Sequence, residues 1–170
     1  DIYAPLRSGT DIAFLGGMIK YIIDNDLGHT EYMQLHTNAT FLVDPRFQMP
    51  GDLDGLFSGY NLDKRSYDKS TWSFQRDENG VPKTDLNMQD PNCVYQLLKK
   101  HFSRYTPEVV SDITGTPLDK LKAVYEAYGS TGKAGKAATI MYAMGWTQHT
   151  VGTQNIRTMA IIQLLLGNIG

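Results

Sequence analysis

The chain has 170 residues, with 18 acidic and 16 basic side chains, a formal net charge of -2 and a hydrophobic fraction of 41%. These values are typical of one soluble globular domain or of a piece of a larger protein. The balanced charge argues against a nucleic-acid surface and against a polybasic membrane patch. The apolar run at residues 159–166 contains Gln163 and is far shorter than the roughly 20 residues of a membrane span. The single cysteine, Cys93, excludes an intrachain disulfide, a four-cysteine zinc site and a self-contained iron–sulfur cluster.

The two ends of the sequence suggest a fragment. The chain begins at Asp1 without an initiator methionine or a targeting stretch. At the other end, Gly167 follows a run of leucines and predicts the end of a helix, after which Ile169 and Gly170 look like the start of a connection. We expect an interior segment of a longer protein.

The first part of the chain has a helical pattern. Residues 7–26 predict a loop and then a helix, with Ser8 or Thr10 as the cap and apolar side chains at helical spacing. Gly16 and Gly17 weaken this helix, so we expect a close packing neighbour there. A second, short helix is predicted from residue 30 to about residue 37, with Glu31 placed well for the helix dipole.

The hydrophobic period fades between residues 38 and 91. Proline and glycine punctuate this polar stretch, and its aromatic residues, among them Tyr60, Tyr67, Trp72 and Phe74, argue against disorder. A structureless loop of this length is uncommon inside a compact domain. We predict an ordered surface insertion that packs on a partner, inside or outside this chain.

Helical patterns return at residue 92. A helix is predicted over residues 92–101, and two further helices have strong starts. Thr106 and Thr116 each place a hydroxyl before a proline, which predicts a capping side chain followed by proline at the first helical position. The second of these helices is predicted to end at Gly129.

The sequence AATIMYAM, at residues 137–144, has no charge and predicts a strand buried on both faces, as in a parallel sheet. A helix is predicted to follow, from about Thr150 or Thr153 to Leu166. In open α/β sheets, ligands bind beyond the carboxyl ends of the strands. We therefore expect a ligand at the loop MGWTQHTVG, residues 144–152.

Familiar catalytic and metal motifs are missing. The four histidines, at positions 29, 36, 101 and 149, share no metal-binding spacing, so they are interpreted as surface or packing residues. The sequence has no GxSxG nucleophile elbow, no phosphate-binding loop and no dinucleotide fingerprint.

Gly9, Thr10 and Asp11 stand at a predicted helix start. Glycine allows close backbone approach, and a carboxylate accepts paired hydrogen bonds from the amino and imino groups of a purine. The alternative is that Asp11 only offsets the helix dipole.

Met144, Gly145 and Gln148 lie where the predicted strand ends. A thioether packs on flat rings, and a carboxamide offers a donor and an acceptor to the edge of a heterocycle. Core and turn roles are the alternative for these residues.

Three stretches carry a resemblance to a known family. They are YAPLRSGTDIAFLGGMIKYII at residues 3–23, RYTPEVVSDITGTPLDKL at residues 104–121 and YAMGWTQHTVGTQNIRTMAIIQLLLGNIG at residues 142–170. They resemble the catalytic large (alpha) subunit of respiratory formate dehydrogenases, within the molybdopterin oxidoreductase family. SGYNLDKRSYDKSTW and NCVYQLLKKHFSRYTPE fit as well, so the resemblance spans the whole chain.

The resemblance implies part of an α/β cofactor-binding domain, with helices around a short parallel sheet. The chain is then expected to have three parts. Residues 1–37 are a helical part of this domain, residues 38–91 are the irregular aromatic insertion, and residues 92–170 contain helices and the strand–loop–helix unit. The implied cofactor is molybdopterin guanine dinucleotide, two per metal, with molybdenum or tungsten. The implied reaction is the reversible oxidation of formate to carbon dioxide.

Roles carry over only where the motifs match. In the family, the triplet matching residues 9–11 contacts a guanine dinucleotide end, and the residues matching Met144 and Gln148 contact the pterin near the metal. Gly145 and Thr147 lie between these two and are weaker candidates.

The resemblance places the remaining chemistry outside this segment. The cysteines of a 4Fe-4S cluster, the selenocysteine or cysteine ligand of the metal, and the His and Arg that handle formate belong to other segments. We expect no catalytic residue and no metal ligand here, so that the segment alone is inactive. Cys93 is interpreted as a packing residue. His149 is assigned no catalytic role because it does not follow a metal ligand in sequence.

The implied partners are the rest of the large subunit, an iron–sulfur electron-transfer subunit and formate, and the resemblance also admits a membrane cytochrome b subunit. The expected location is the periplasm, and no nucleic acid is expected. Two alternatives stay open. One is another molybdopterin oxidoreductase, such as a periplasmic nitrate reductase. The other is a noncatalytic interaction module in which residues 60–74 bind a partner protein.

Overall fold

The computed structural model describes residues 1–169, which form two compact units. The first unit contains Asp1–Thr37 and the chain from Phe102 onward, and the second unit is Asn38–His101. The connection expected at the C-terminus reaches Gly170, which lies outside the described residues.

The helices have the following bounds: α1 Asp11–Asp24, α2 Thr30–His36, α3 Val94–Phe102, α4 Pro107–Thr114, α5 Leu118–Gly129, α6 Met144–Thr147 and α7 Gly152–Leu166. The predicted helices near α1–α5 and α7 are confirmed, whereas α6 lies where a loop was predicted. The predicted end of α7 at Gly167 is confirmed as well, and its φ of +69° is the left-handed conformation that glycine tolerates. No helix in residues 1–169 combines the length and the apolar character that crossing a bilayer requires.

Helix α1 is the centre of the first unit and packs against α4, α5 and α7. Its core side chains are fully buried together with apolar residues of those three helices: Ile19, Ile22, Val110, Leu121, Tyr125, Ile162 and Leu166. Burial of this apolar surface is the main force that holds the helices together.

Gly16 and Gly17 allow this close packing. A Cβ at Gly16 would lie 3.0 Å from the ring of Tyr105, and one at Gly17 would lie 2.6 Å from the Tyr125 hydroxyl and 2.9 Å from Val110. The prediction of a close packing neighbour is therefore confirmed.

The two predicted proline-associated caps have different outcomes. The Thr106 hydroxyl accepts a hydrogen bond from the Val109 amide, with Pro107 at the first helical position, so the first cap is confirmed. The second prediction is wrong, because Pro117 itself precedes α5 and no side chain caps that helix. The Thr116 hydroxyl is buried and donates instead to the carbonyl oxygen of Pro5 over 2.7 Å.

The strand predicted at residues 137–144 is also wrong. Residues 137–143 form no strand, and Met144 begins α6. A strand needs a neighbouring strand for its hydrogen bonds, and this segment has none within residues 1–169. The only sheet within these residues is a short antiparallel pair of strands, so the expected parallel sheet is not found in the described chain.

The second unit contains little regular structure. Strands β1, Tyr60–Asn61, and β2, Ser66–Tyr67, form a short antiparallel pair. Isolated bridges join residues distant in sequence, among them Leu42 with Cys93 and Val43 with Phe74. Cys93 is fully buried and its thiol donates to the carbonyl oxygen of Ala39 over 2.8 Å. Burial raises the pKa of this thiol.

Candidate functional site

The first group of predicted site residues forms the turn that begins α1. Gly9 has a φ of +82°, and a Cβ at this position would meet no atom within 4 Å. The amide and the hydroxyl of Thr10 both donate to the carbonyl oxygen of Arg7, over 3.2 and 2.6 Å. The Thr10 hydroxyl hydrogen is therefore used to close the turn, while the surface of Gly9 is open to a ligand.

Asp11 is the first residue of α1 and only 8% of its surface is exposed. Across residues 1–169, its carboxylate has no hydrogen-bond or ion-pair partner. No side chain caps the helix, whose first amide groups and dipole favour polar or anionic groups. Its oxygen atoms are not among the fully enclosed unpaired atoms of residues 1–169, so a donor from outside can reach them. Asp11 thus suits a ligand that presents N–H groups.

The second group lies on α6 and just after it. Met144, Gly145, Thr147 and Gln148 are all exposed. The Gln148 amide group donates to the Met144 sulfur over 3.3 Å, and the Gln148 backbone amide donates to the Met144 carbonyl over 2.8 Å. The structure therefore brings the two side chains together on one exposed turn.

Three residues for which the sequence predicted no cofactor contact support this turn. The His149 ring donates from Nε2 to the Gly145 carbonyl over 2.8 Å. Gly152 packs so closely on Thr147 that a Cβ would lie 2.3 Å from its carbonyl oxygen. The third is Asn155, which is fully buried and donates to the Trp146 carbonyl over 3.0 Å. A polar residue on the apolar face of a helix was the available signal for Asn155.

The two groups share α7 as a support. Helix α7 packs against both α1 and α6. No hydrogen bond in the described chain joins residues 9–11 directly to residues 144–148. Residues 9–11 and residues 144–148 are therefore two separate groups of candidate site residues, each next to a helix that packs on α7.

A metal site or a ligand pocket outside these two groups would be a further candidate among the described residues. No cluster of three or more His, Cys, Asp or Glu side chains within residues 1–169 is arranged to hold a metal ion. An open pocket of about 600 Å³ lies in the second unit and contains none of the predicted site residues. Its lining is mainly apolar: Val43, Phe47, Phe57, Trp72, Ser73, Phe74 and Arg76.

A solved structure has a similar fold. The chain resembles acetylene hydratase from Pelobacter acetylenicus, with a TM-score of 0.57 over 99% of this chain and 15% of that one. The sequence identity is 18%, so this likeness concerns the fold alone. No family model matches the sequence.

The sequence is similar to a narrower group of proteins than the fold is. The chain is 58% identical over all 170 residues to the formate dehydrogenase subunit alpha of Megalodesulfovibrio gigas. It is 55% identical, again over its whole length, to the nitrate-inducible formate dehydrogenase major subunit of Escherichia coli (strain K12). The chain spans 16% of the length of each relative. The resemblance to formate dehydrogenase large subunits is therefore confirmed along the entire chain.

Proposed function

We propose that this chain is a segment of the catalytic subunit of a formate dehydrogenase, in which it binds part of a bis(molybdopterin guanine dinucleotide) cofactor carrying molybdenum or tungsten. The observation that carries the proposal is the identity of 58% and 55% to two formate dehydrogenase subunits over the whole chain. The whole enzyme converts formate to carbon dioxide, a proton and two electrons.

The residues at the start of α1 fit the guanine end of this cofactor. Asp11 is largely buried as a residue, and its carboxylate accepts the paired N–H groups that guanine presents on one edge. Gly9 leaves room for a base or ribose to approach the backbone. Thr10 holds the turn through its bond to Arg7.

The residues on and after α6 fit a flat, hydrogen-bonding ring system. Met144 is 64% exposed, and its thioether packs on a pterin ring while Gln148 offers a donor and an acceptor to the ring edge. The Gln148–Met144 contact over 3.3 Å holds both side chains at the same place. Gly145 and Thr147 contribute backbone and a hydroxyl group beside them.

When bound, the metal cofactor supplies the redox chemistry, accepting two electrons from formate. This chain binds and orients the cofactor and adds no metal ligand. We propose that a 4Fe-4S cluster held by other segments of the subunit, and an iron–sulfur subunit, carry the electrons onward. A membrane cytochrome b subunit is a further proposed partner, and the periplasm is the proposed location.

The test uses the whole protein that contains this chain. Metal and guanine nucleotide are quantified after acid release, and formate-dependent dye reduction is measured. Asp11→Asn replaces an acceptor oxygen by a donor that opposes the guanine N–H groups, so we expect a large loss of bound nucleotide. Asp24→Asn is the matched control, because it removes the same charge from the other end of α1, where Asp24 pairs with Lys20.

The second pair of variants addresses the turn at α6. Gln148→Ala should lower kcat/KM for formate and cofactor occupancy, whereas Gln154→Ala, on an exposed position of α7, should leave both unchanged. Bound metal and nucleotide without formate oxidation would favour another molybdopterin oxidoreductase, such as a nitrate reductase. Absence of both groups would favour the noncatalytic interaction module.

A further inference from the structure

Arg7 binds the C-terminal end of α4 through both its backbone and its side chain. Its backbone amide donates to the Thr114 carbonyl over 2.8 Å. Its guanidinium donates from Nη1 to the carbonyl oxygens of Asp112 and Ile113, over 2.6 and 3.0 Å. The last carbonyls of a helix have no partners within the helix, and a positive charge there is favoured by the helix dipole. Arg7 therefore satisfies three of these carbonyls at once.

The residues that follow α4 leave space for the Arg7 side chain and bind the segment before it. Gly115 follows the helix with a φ of +71°, and a Cβ there would lie 3.2 Å from Arg7 Nε. The glycine thus provides both the left-handed turn and the space for the guanidinium. Next to it, the Thr116 hydroxyl donates to the Pro5 carbonyl over 2.7 Å, which ties down the same N-terminal segment a second time.

Arg7 also reaches the turn at residues 9–11. Its carbonyl oxygen is the acceptor for both the amide and the hydroxyl of Thr10. Helix α4 meets α1 a second time at Gly17, which packs against Val110. The turn is therefore held between two attachments to α4, one through Arg7 and one through the body of α1.

We propose that Arg7 is a positioning residue for the guanine end of the cofactor: by joining the C-terminus of α4 to the turn at residues 9–11, it holds Gly9 and Asp11 in the geometry that accepts the base. This inference rests on the function proposed above. Arg7 acts through the turn.

The test compares three variants of the whole protein. Arg7→Gln removes the charge and most of the donors, and Arg7→Lys keeps the charge with donors that reach the same carbonyls. Thr106→Ala removes the cap at the opposite end of α4 and serves as a control for helix stability. The readouts are bound guanine nucleotide per polypeptide, its dissociation rate, amide hydrogen exchange of residues 8–13, and the melting temperature.

We expect Arg7→Gln to speed nucleotide loss about tenfold, by analogy with the loss of groups that orient metal ligands, and to speed exchange of the Thr10 amide. Arg7→Lys should restore most of the retention. Thr106→Ala should lower the melting temperature while retention stays at the wild-type level.

Two results would overturn the proposal: wild-type retention in Arg7→Gln, or an equal loss in Thr106→Ala, which would make the effect one of helix stability. Its failure is distinguishable from that of the proposed function. If the wild-type protein contains guanine nucleotide and Asp11→Asn loses it, the site stands even when Arg7→Gln has no effect. If the wild-type protein contains none, the site and the role of Arg7 are rejected together.

Discussion

Asn155 donates a hydrogen bond from its side-chain amide to the carbonyl oxygen of Trp146 over 3.0 Å. Asn155 is fully buried on α7, whereas Trp146 belongs to the exposed helix α6 that carries Met144, Gly145 and Thr147. The Asn155 Oδ1 atom has no hydrogen-bond partner. This one side chain therefore anchors the exposed turn to the core of the first unit.

Replacing Asn155 should loosen that turn. Asn155→Ala leaves the Trp146 carbonyl without its donor, and we expect a local loss of about 1–3 kcal/mol in the opening free energy of residues 144–151. Asn155→Asp should cost more, because a carboxylate would face a carbonyl oxygen in a buried position. Native-state amide hydrogen exchange measures both losses. Equal exchange in the wild type and both variants would contradict the anchoring role.

Gly17→Ala should destabilise the first unit. The added methyl group would lie 2.6 Å from the Tyr125 hydroxyl and 2.9 Å from Val110, so the helices must move apart. We expect a loss of about 1–3 kcal/mol from overpacking, which outweighs the roughly 1 kcal/mol that alanine gains in helix propensity. Gly51→Ala is the control, since a Cβ there would meet no atom within 4 Å. Denaturant unfolding is the measurement, and a stabilised Gly17→Ala variant would exclude the close approach.

Tyr125 should make stability fall at high pH. Its phenol is buried and donates to the Phe14 carbonyl, and burial raises the pKa of this phenol above its ordinary value near 10. The folded protein therefore holds the proton more tightly than the unfolded chain. The resulting stability is fully present below pH 10 and is lost progressively above it.

Tyr125→Phe separates the two contributions of this side chain. At pH 7 we expect a loss of about 1–2 kcal/mol, because the Phe14 carbonyl loses its donor. Above pH 10 the stability of the variant should fall less steeply with pH than that of the wild type. Unfolding measured between pH 7 and pH 11 tests this, and parallel pH profiles would argue against a role for Tyr125 ionisation.

Asp44 should titrate at unusually low pH. Arg46 donates to its carboxylate from the guanidinium, over 2.7 and 3.0 Å, and from the backbone amide, which lowers the pKa of Asp44 to about 2. Because the pKa is lower in the folded state, the contribution to stability is present above pH 4 and is lost as the pH falls toward 2. Carboxyl titration by NMR measures this pKa. Arg46→Gln should move it toward the ordinary value near 3.8, and high salt should do so in part.

Much of the helical structure was predictable from local patterns. The cap at Thr106 and the helix end at Gly167 follow from a side chain and a glycine that act within a few residues. Helix α1 begins at the predicted place, but the predicted cap by Ser8 or Thr10 is wrong, because no side chain caps this helix. The close approach at Gly16 and Gly17 was also predictable, because glycine weakens a helix interior and a close packing neighbour gives a reason for its presence. The roles of residues 9–11 and 144–148 in binding stay predictions.

The failures have a common cause. Residues 137–144 have the composition of a buried strand, but a strand is defined by its neighbours, and the described chain provides none beside it. Thr116 has the spacing of a cap, yet its hydroxyl donates to Pro5, a residue 111 positions away. In both cases the outcome depended on a partner distant in sequence. The strand lacked a neighbouring strand, and the threonine hydroxyl found a different acceptor.

By itself, the sequence determined most of the helices, the cap at Thr106 and the resemblance to formate dehydrogenase subunits, because propensity, capping and motifs depend on residues close together in the chain. Only the tertiary structure decided that Arg7 joins α4 to the turn at residues 9–11, that Asp11 is buried without a partner, and that Asn155 supports the turn at α6. These contacts depend on which groups come together when the helices pack. Residues close together in the sequence do not determine such contacts.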